Sequence, residues 1–170
     1  MWKTARTCLI KLIHKKAEKD KITNYRPISL CNMDYKIIAK ILAMCIKKVM
    51  NSIIDKEQTG FIPERDIRIN VAMARAYLEK INKYEEEGGE LLLDFEKAFD
   101  RVDRVFMEMC LMQLGMGANY ISMVMLLHSD TSARVITRNG VSGEIDVKSG
   151  VRQGCSLAPY LYVISMLPLL

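Results

Sequence analysis

LLLDFEKAFDRVD, residues 91–103, is the stretch on which the fold turns. Gly88-Gly89 precedes it, and three consecutive leucines run straight into Asp94. Such a run predicts a short strand buried on both faces. An ionised carboxylate at the end of an apolar strand is costly unless a metal ion or a hydrogen-bond network compensates it. Hard cations such as Mg2+ take carboxylate oxygens and complete their shell with substrate phosphates. From the residue alone two readings of Asp94 stand: a metal ligand, or a structural Asp bonded to local backbone.

On the N-terminal side, residues 34–50 place Ile37, Ile38, Ile41, Leu42, Cys45, Ile46 and Val49 at helical spacing, with Lys36, Lys40, Lys47 and Lys48 on the polar side. A second helix is predicted over about 68–84, with Val71, Ala74, Leu78 and Ile81 on one face, ending near Gly88-Gly89. On the C-terminal side a helix over roughly 103–114 is stopped by Gly115 and Gly117, and another covers about 118–128. ARVITR, Asn139-Gly140 and VSGEIDV read as a β-hairpin, since Asn-Gly supplies the positive φ of a type I′ turn. SGVRQGC is a Gly-bounded loop, and Ser156 is the expected N-cap of a final helix. Helices outnumber strands in mixed order, which is an α+β or split α/β pattern around a small sheet.

The chain has 170 residues, half of them apolar and 26% charged, enough for a packed core and too apolar for wholesale disorder. The formal charge is +5, but residues 1–48 carry a net +9 and residues 49–170 a net −4. A basic front beside an acidic body fits a phosphate-facing surface, and equally fits solvated lysines on helix faces. Cys8, Cys31, Cys45, Cys110 and Cys155 form no C-x-x-C pair, which disfavours a zinc site and predicts free thiols in a reducing, intracellular compartment. The opening MWKTARTCLIKLIHKK lacks acids, as mitochondrial presequences do, but Lys11 interrupts its apolar run and favours a mature segment. Residues 153–170 carry no charge yet include Gly154, Pro159 and Pro168, so a buried helix is expected there and no membrane association.

Four segments, taken in order, carry a resemblance. NYRPISL at 24–30, QTGFIPER at 58–65, LLLDFEKAFDRVD at 91–103 and SGVRQGCSLAP at 149–159 resemble the reverse transcriptases of non-LTR retrotransposons. Trp2-Lys3 and LIHKK at 12–16 look like the approach to the first of these motifs. The resemblance implies an RNA-directed DNA polymerase, a nucleotidyltransferase of a transposable element. Its fold would be right-hand polymerase fingers and partial palm, a small antiparallel sheet with packed helices. About 1–90 would be fingers-like and about 91–170 partial palm.

The same resemblance implies roles residue by residue. Asp94 matches the first catalytic aspartate, which holds two Mg2+ ions in the complete enzyme, with the Phe95 backbone carbonyl offered to one of them. Phe99 matches the aromatic gate under the sugar, which selects deoxynucleotides; without the resemblance a core aromatic is the better reading. Arg26 matches the arginine that grips the triphosphate, a task suited to its planar fork of donors. Gln153 and Gly154 match the loop on the incoming base and sugar, and Arg152 before them reads as a phosphate contact or as solvated. Arg65 completes the Q-x-G-F-x-x-x-R pattern as a template or nucleotide contact, or else a surface salt bridge. Lys15, Lys16, Lys19 and Lys21, with Lys3 and Lys11, would face an RNA template without sequence preference. Asp100 reads as a turn stabiliser and Asp103 as a helix cap. The implied partners are an RNA template, a DNA primer and deoxynucleoside triphosphates.

Where most such enzymes carry Pro and Ser, this chain has Ser156 and Ala158. The family's next motif, an aromatic-x-Asp-Asp hairpin, does not occur before Leu170, so the expectation is a fragment with an incomplete metal site, inactive as it stands. An unpaired edge on the Leu91–Leu93 strand would then invite self-association. Two rival readings remain: a catalytically dead nucleic-acid-binding remnant using the basic front, and a metal-dependent phosphohydrolase built on Asp94 and Glu96.

Overall fold

The computed structural model describes residues 6–15, 18–84 and 87–169. A five-stranded sheet has the order β2-β1-β3-β4, with β5 also paired to β3. Strands β1 (Thr7–His14) and β2 (Tyr25–Leu30) run antiparallel, in register from Leu9↔Leu30 to His14↔Tyr25. The Lys15 amide donates to the Asn24 carbonyl at 2.8 Å, closing the connection between them. Strand β3 (Ser132–Thr137) lies parallel to β1, from Thr7↔Ser132 to Ile10↔Val135. Strands β4 (Gly140–Val141) and β5 (Ile145–Asp146) pair antiparallel with β3. The small sheet with packed helices matches expectation, but it is mixed rather than wholly antiparallel. A chain that passes through several helices between two neighbouring strands can return in the parallel sense.

Five helices complete the fold: α1 (Met33–Ile53), α2 (Ile67–Tyr84), α3 (Arg104–Gln113), α4 (Ala118–His128) and α5 (Ala158–Met166). Helix α3 packs on α4 and α5, and α1 packs on the same two. Their shared core holds the fully buried Tyr35, Ile46, Met50, Met107, Leu111, Leu127, Leu161 and Ile164. The uncharged C-terminal helix is buried as its composition predicts. Among the described residues no helix is long and apolar enough to cross a membrane.

Helix α1 is longer than periodicity predicts, and it is rotated. Tyr35, Ala39, Leu42, Ala43, Ile46 and Met50 face the core, while Ile37 and Ile41 stand 51% and 55% exposed. Apolar residues occupy two stripes of this helix, and small Ala39 and Ala43 decide which stripe neighbours can approach closely. Helix α2 forms where expected, but none of its residues is buried, and Val71 and Leu78 are exposed.

The strand expected at 91–95 is absent. Leu91, Leu92 and Leu93 are 80%, 83% and 73% exposed, in a stretch that belongs to no strand or helix. A strand needs a neighbour for its amides and carbonyls, and among the described residues none lies beside this one. The hairpin also differs from expectation. Thr137 pairs with Gly140, so Arg138 and Asn139 form the loop, and of these turn residues only Gly140 has positive φ (122°). A type I′ turn needs positive φ at both central residues. Ser156 does not cap the last helix: Leu157 holds the N-cap position without a side-chain bond, and Pro159 sits in the first turn, where a missing amide costs nothing.

Asp103 does cap α3, its carboxylate accepting from the Phe106 amide at 2.8 Å. Asp103→Ala is therefore expected to lower stability by about 1 kcal/mol, read as a fall in the thermal or urea midpoint. An unchanged midpoint would remove the cap from the account of α3.

Candidate nucleotide and metal site

The loop at 149–154 organises the site. Gly150 has φ +79°, and a Cβ there would stand 2.7–2.9 Å from the Asp100 backbone, so only glycine fits without displacement. Its amide donates to the Val102 carbonyl at 2.8 Å, and the Val151 amide donates to the Phe99 carbonyl at 2.8 Å. The Ser149 hydroxyl reaches the Asp100 carbonyl at 3.4 Å. At its other end the loop borders the edge strand β2: the Ser29 amide donates to the Gln153 carbonyl at 3.0 Å. Gly154, at φ +103°, lies against the Ser29 carbonyl, 3.2 Å from where a Cβ would be. One loop thus ties the segment after Asp94 to the strand that carries Arg26.

Gln153 lines a cleft of about 370 Å³ with Pro27, Ser29, Asp100 and Arg152. Arg26 is exposed opposite Ile13. Strand alternation sets it on the other sheet face from Pro27 and Ser29. Pro27 is tolerated because β2 is an edge strand, where a missing amide need not pair.

Phe99 is half-buried and stacked on Tyr162 of α5, with ring centroids 5.0 Å apart and planes at 26°. Phe61 meets it edge-on at 6.3 Å and 87°. Such offset and T-shaped pairs suit the charge distribution of aromatic rings. Asp94 is exposed. Partial burial raises the Tyr162 hydroxyl above its ordinary range, and the Asp94 charge adds to it. Phe61 and Tyr162 were assigned no role from sequence. Phe61 lies inside QTGFIPER and takes a left-handed φ of 63°, a conformation its sequence does not signal.

The other acids of residues 91–103 are engaged differently. Glu96 pairs with Arg101 at 2.9 Å, and Asp103 caps α3. Partial burial raises the Asp100 carboxyl, with Lys97 opposing the shift. Among the described residues no group of three His, Cys, Asp or Glu is placed to hold a metal ion. Asp94 offers a single exposed carboxylate, of the oxygen chemistry that hard cations take. The other protein ligands of a two-ion site are not assembled among the described residues.

Both further arginines are occupied. Arg65 donates to the Gln58 and Ile54 carbonyls at 2.8 Å each and also to those of Asp55 and Asn51, clamping the turn after α1. Arg152 is neither solvated nor facing open solvent as a phosphate contact would. It is buried, lies 4.6 Å over the Tyr35 ring and donates to the Arg6 carbonyl. Lys11, Lys15, Lys19 and Lys21 are exposed, and Lys21 pairs with Glu18 at 2.6 Å. Lys3 and Lys16 lie outside the described residues.

A family profile described as "Reverse transcriptase (RNA-dependent DNA polymerase)" matches residues 13–170, a span that includes all four sequence segments. The chain belongs to the reverse transcriptase family. This reverse transcriptase domain is 31% identical over 167 residues to the "Transposon TX1 uncharacterized 149 kDa protein" of Xenopus laevis, covering 98% of this chain and 13% of that one. It is 29% identical to the "Probable RNA-directed DNA polymerase from transposon X-element" of Drosophila melanogaster, over 92% of this chain and 17% of the relative. It is 26% identical to the Pol polyprotein of the type-1 retrotransposable element R2 of Popillia japonica, over 95% and 22%. These are elements of the non-LTR class, so the domain is of that type, and it spans between 13% and 22% of their lengths. Its fold resembles apo telomerase from Candida Tropicalis, with TM-score 0.55 and 16% identity, over 96% of this chain and 38% of the telomerase. Reverse transcriptases as a family use divalent metal ions.

Proposed function

We propose that this domain contributes the fingers (about residues 1–90) and part of the palm (about 91–170) to RNA-templated DNA synthesis. The observation that carries the reading is the double anchoring of the 149–154 loop, to Phe99–Val102 on one side and to Ser29 on the other. It fixes Gln153 and Gly154 between the segment after Asp94 and the edge strand β2, and a bound deoxynucleoside triphosphate would have to pass round that edge to reach Arg26 on the other sheet face.

In this reading Arg26 binds the triphosphate and Gln153 positions base and sugar. The Phe99 ring, braced by Tyr162 and Phe61, closes off the space where a 2′-hydroxyl would stand. Asp94 and the Phe95 carbonyl would hold Mg2+, which when bound supplies charge to stabilise the transferring phosphate. Exposed Lys15, Lys19 and Lys21, together with Lys16, contact the phosphates of the RNA template and the DNA primer. Arg65 serves by holding its turn in place.

The test is sugar selection. In a polypeptide that joins this domain to the remaining segments of a reverse transcriptase, Phe99→Val is expected to raise ribonucleotide use relative to deoxynucleotide by about tenfold or more in kcat/KM, the scale on which pocket shape discriminates. An unchanged ratio in an active variant would sink the gate.

A further inference from the structure

Two thiols beneath the 149–154 loop take no part in the reading above. Cys8 belongs to β1, and Cys31 follows the last residue of β2. Continued by one residue past its last pair, Leu9 with Leu30, the antiparallel register brings Cys8 opposite Cys31. Directly opposed residues of an antiparallel pair have Cα atoms about 4.5–5.5 Å apart, inside the range of about 4.4–6.8 Å that a disulfide bridges. The two thiols are close enough to act on each other's ionisation.

Arg152 supplies the cation. Its guanidinium lies 4.0 Å from the Cys31 sulfur while resting on the Tyr35 ring. Tyr35 and Cys155 complete the surroundings, and both are buried. The Cys31 thiol and the Arg152 charge hold the Cys8 thiol below the ordinary range, against burial; Cys31 is pushed well above it. The pair thus loses its first proton readily and its second with difficulty, the behaviour of two coupled groups sharing one negative charge. Cys8 is 3% exposed but borders the cleft of about 370 Å³, which gives a small oxidant a route to its sulfur.

We propose that Cys8 and Cys31 are a peroxide-sensitive dithiol that closes reversibly to a disulfide across the β1–β2 pair. The Cys8 thiolate attacks one oxygen of hydrogen peroxide. The O–O bond breaks, hydroxide leaves and takes a proton to become water, and Cys8 becomes a sulfenic acid. The Cys31 sulfur then attacks the Cys8 sulfur, the S–O bond breaks, and a second water leaves with the Cys31 proton. Two thiols and one peroxide give one disulfide and two waters, the sulfurs oxidised by two electrons and the peroxide reduced by the same two. Closure removes the thiolate beside Arg152, the residue next to Gln153, and so couples oxidation to the anchoring of the loop.

The full chain is treated with hydrogen peroxide, alkylated with iodoacetamide and digested without reductant. Mass spectrometry is expected to find a Cys8–Cys31 linked peptide as the main intramolecular disulfide. Both residues lose their alkylation tags and regain them after dithiothreitol. In Cys31→Ser, a Cys8 sulfenic acid is expected to accumulate and be trapped by dimedone; in Cys8→Ser, no intramolecular link forms. The wild-type result needs no substitution, so it decides the matter even if a variant misfolds. Cys8 staying reduced while the exposed Cys45 is oxidised, or Cys8 linking mainly to Cys155, would overturn the proposal.

Discussion

The 170-residue chain by itself is expected to extend no primer on an RNA template, with Mg2+ or with Mn2+. Phosphoryl transfer depends almost wholly on positioning and on stabilising charge. Two metal ions about 4 Å apart serve the attacking and leaving oxygens together. In this chain Asp94 is one exposed carboxylate. Glu96 is tied to Arg101, Asp103 is spent on the α3 cap, and burial raises Asp100. One carboxylate does not hold two divalent ions against their mutual repulsion. Loss of the remaining ligands removes several kcal/mol, and at ~1.4 kcal/mol per tenfold the rate falls by about 10³ or more. The same order of loss is expected for Asp94→Asn in a polypeptide that joins this domain to the remaining segments of a reverse transcriptase. The assay is primer extension beside that variant. Extension by the isolated wild-type chain that vanishes in Asp94→Asn would show that a second ligand set exists within these residues.

Gly150→Ala is expected to lower stability by about 2–5 kcal/mol. The left-handed backbone at φ +79° costs a β-carbon about 1–2 kcal/mol. The steric term adds about 1–3 kcal/mol, because the atoms in the way are the Asp100 carbonyl oxygen, Cα and carbonyl carbon, which cannot swing aside as a side chain would. For a chain of this size that corresponds to a fall in Tm of roughly 5–15 °C. Gly143→Ala is the control, since no atom lies within 4 Å of its Cβ position and its φ is not in the left-handed range. The comparison is a thermal melt of the two variants beside wild type. Equal midpoints would mean that the loop is not clamped to Asp100 in solution.

Helix positions were legible in the sequence wherever polar and apolar residues alternate at helical spacing between strong stops. Helices α3 and α4, bounded by Asp103, Gly115 and Gly117, lie where they were predicted. Orientation was less legible: α1 carries apolar residues around most of its circumference, so the pattern alone does not say which stripe meets the core. The leucine run at 91–93 misled because hydrophobicity reports a wish for burial, whereas a strand also requires a partner. For the proposed site, sequence points to residues whose chemistry is distinctive, Asp94, Arg26, Phe99 and Gln153. It did not reach Tyr162 and Phe61, whose contribution is contact across the fold. It also left Arg152 with two solvent-facing roles. A buried guanidinium between a tyrosine ring and two thiols depends on three segments that only tertiary structure brings together.

The parallel pairing of β1 with β3 sets an order of events for a chain emerging from a ribosome. Thr7 and Ser132 touch through their hydroxyls at 2.9 Å although 125 residues separate them. At about 5–20 residues per second, β1 waits roughly 6–25 s before its neighbour has been synthesised. Until then the β1–β2 hairpin has one edge of β1 unpaired. Contacts of such long range also make the chain a slow folder for its size, since the closure entropy must be met before the pairing forms. Strand β1 is thus made well before the neighbour it pairs with, and a chaperone that binds extended apolar segments would have that interval in which to meet it.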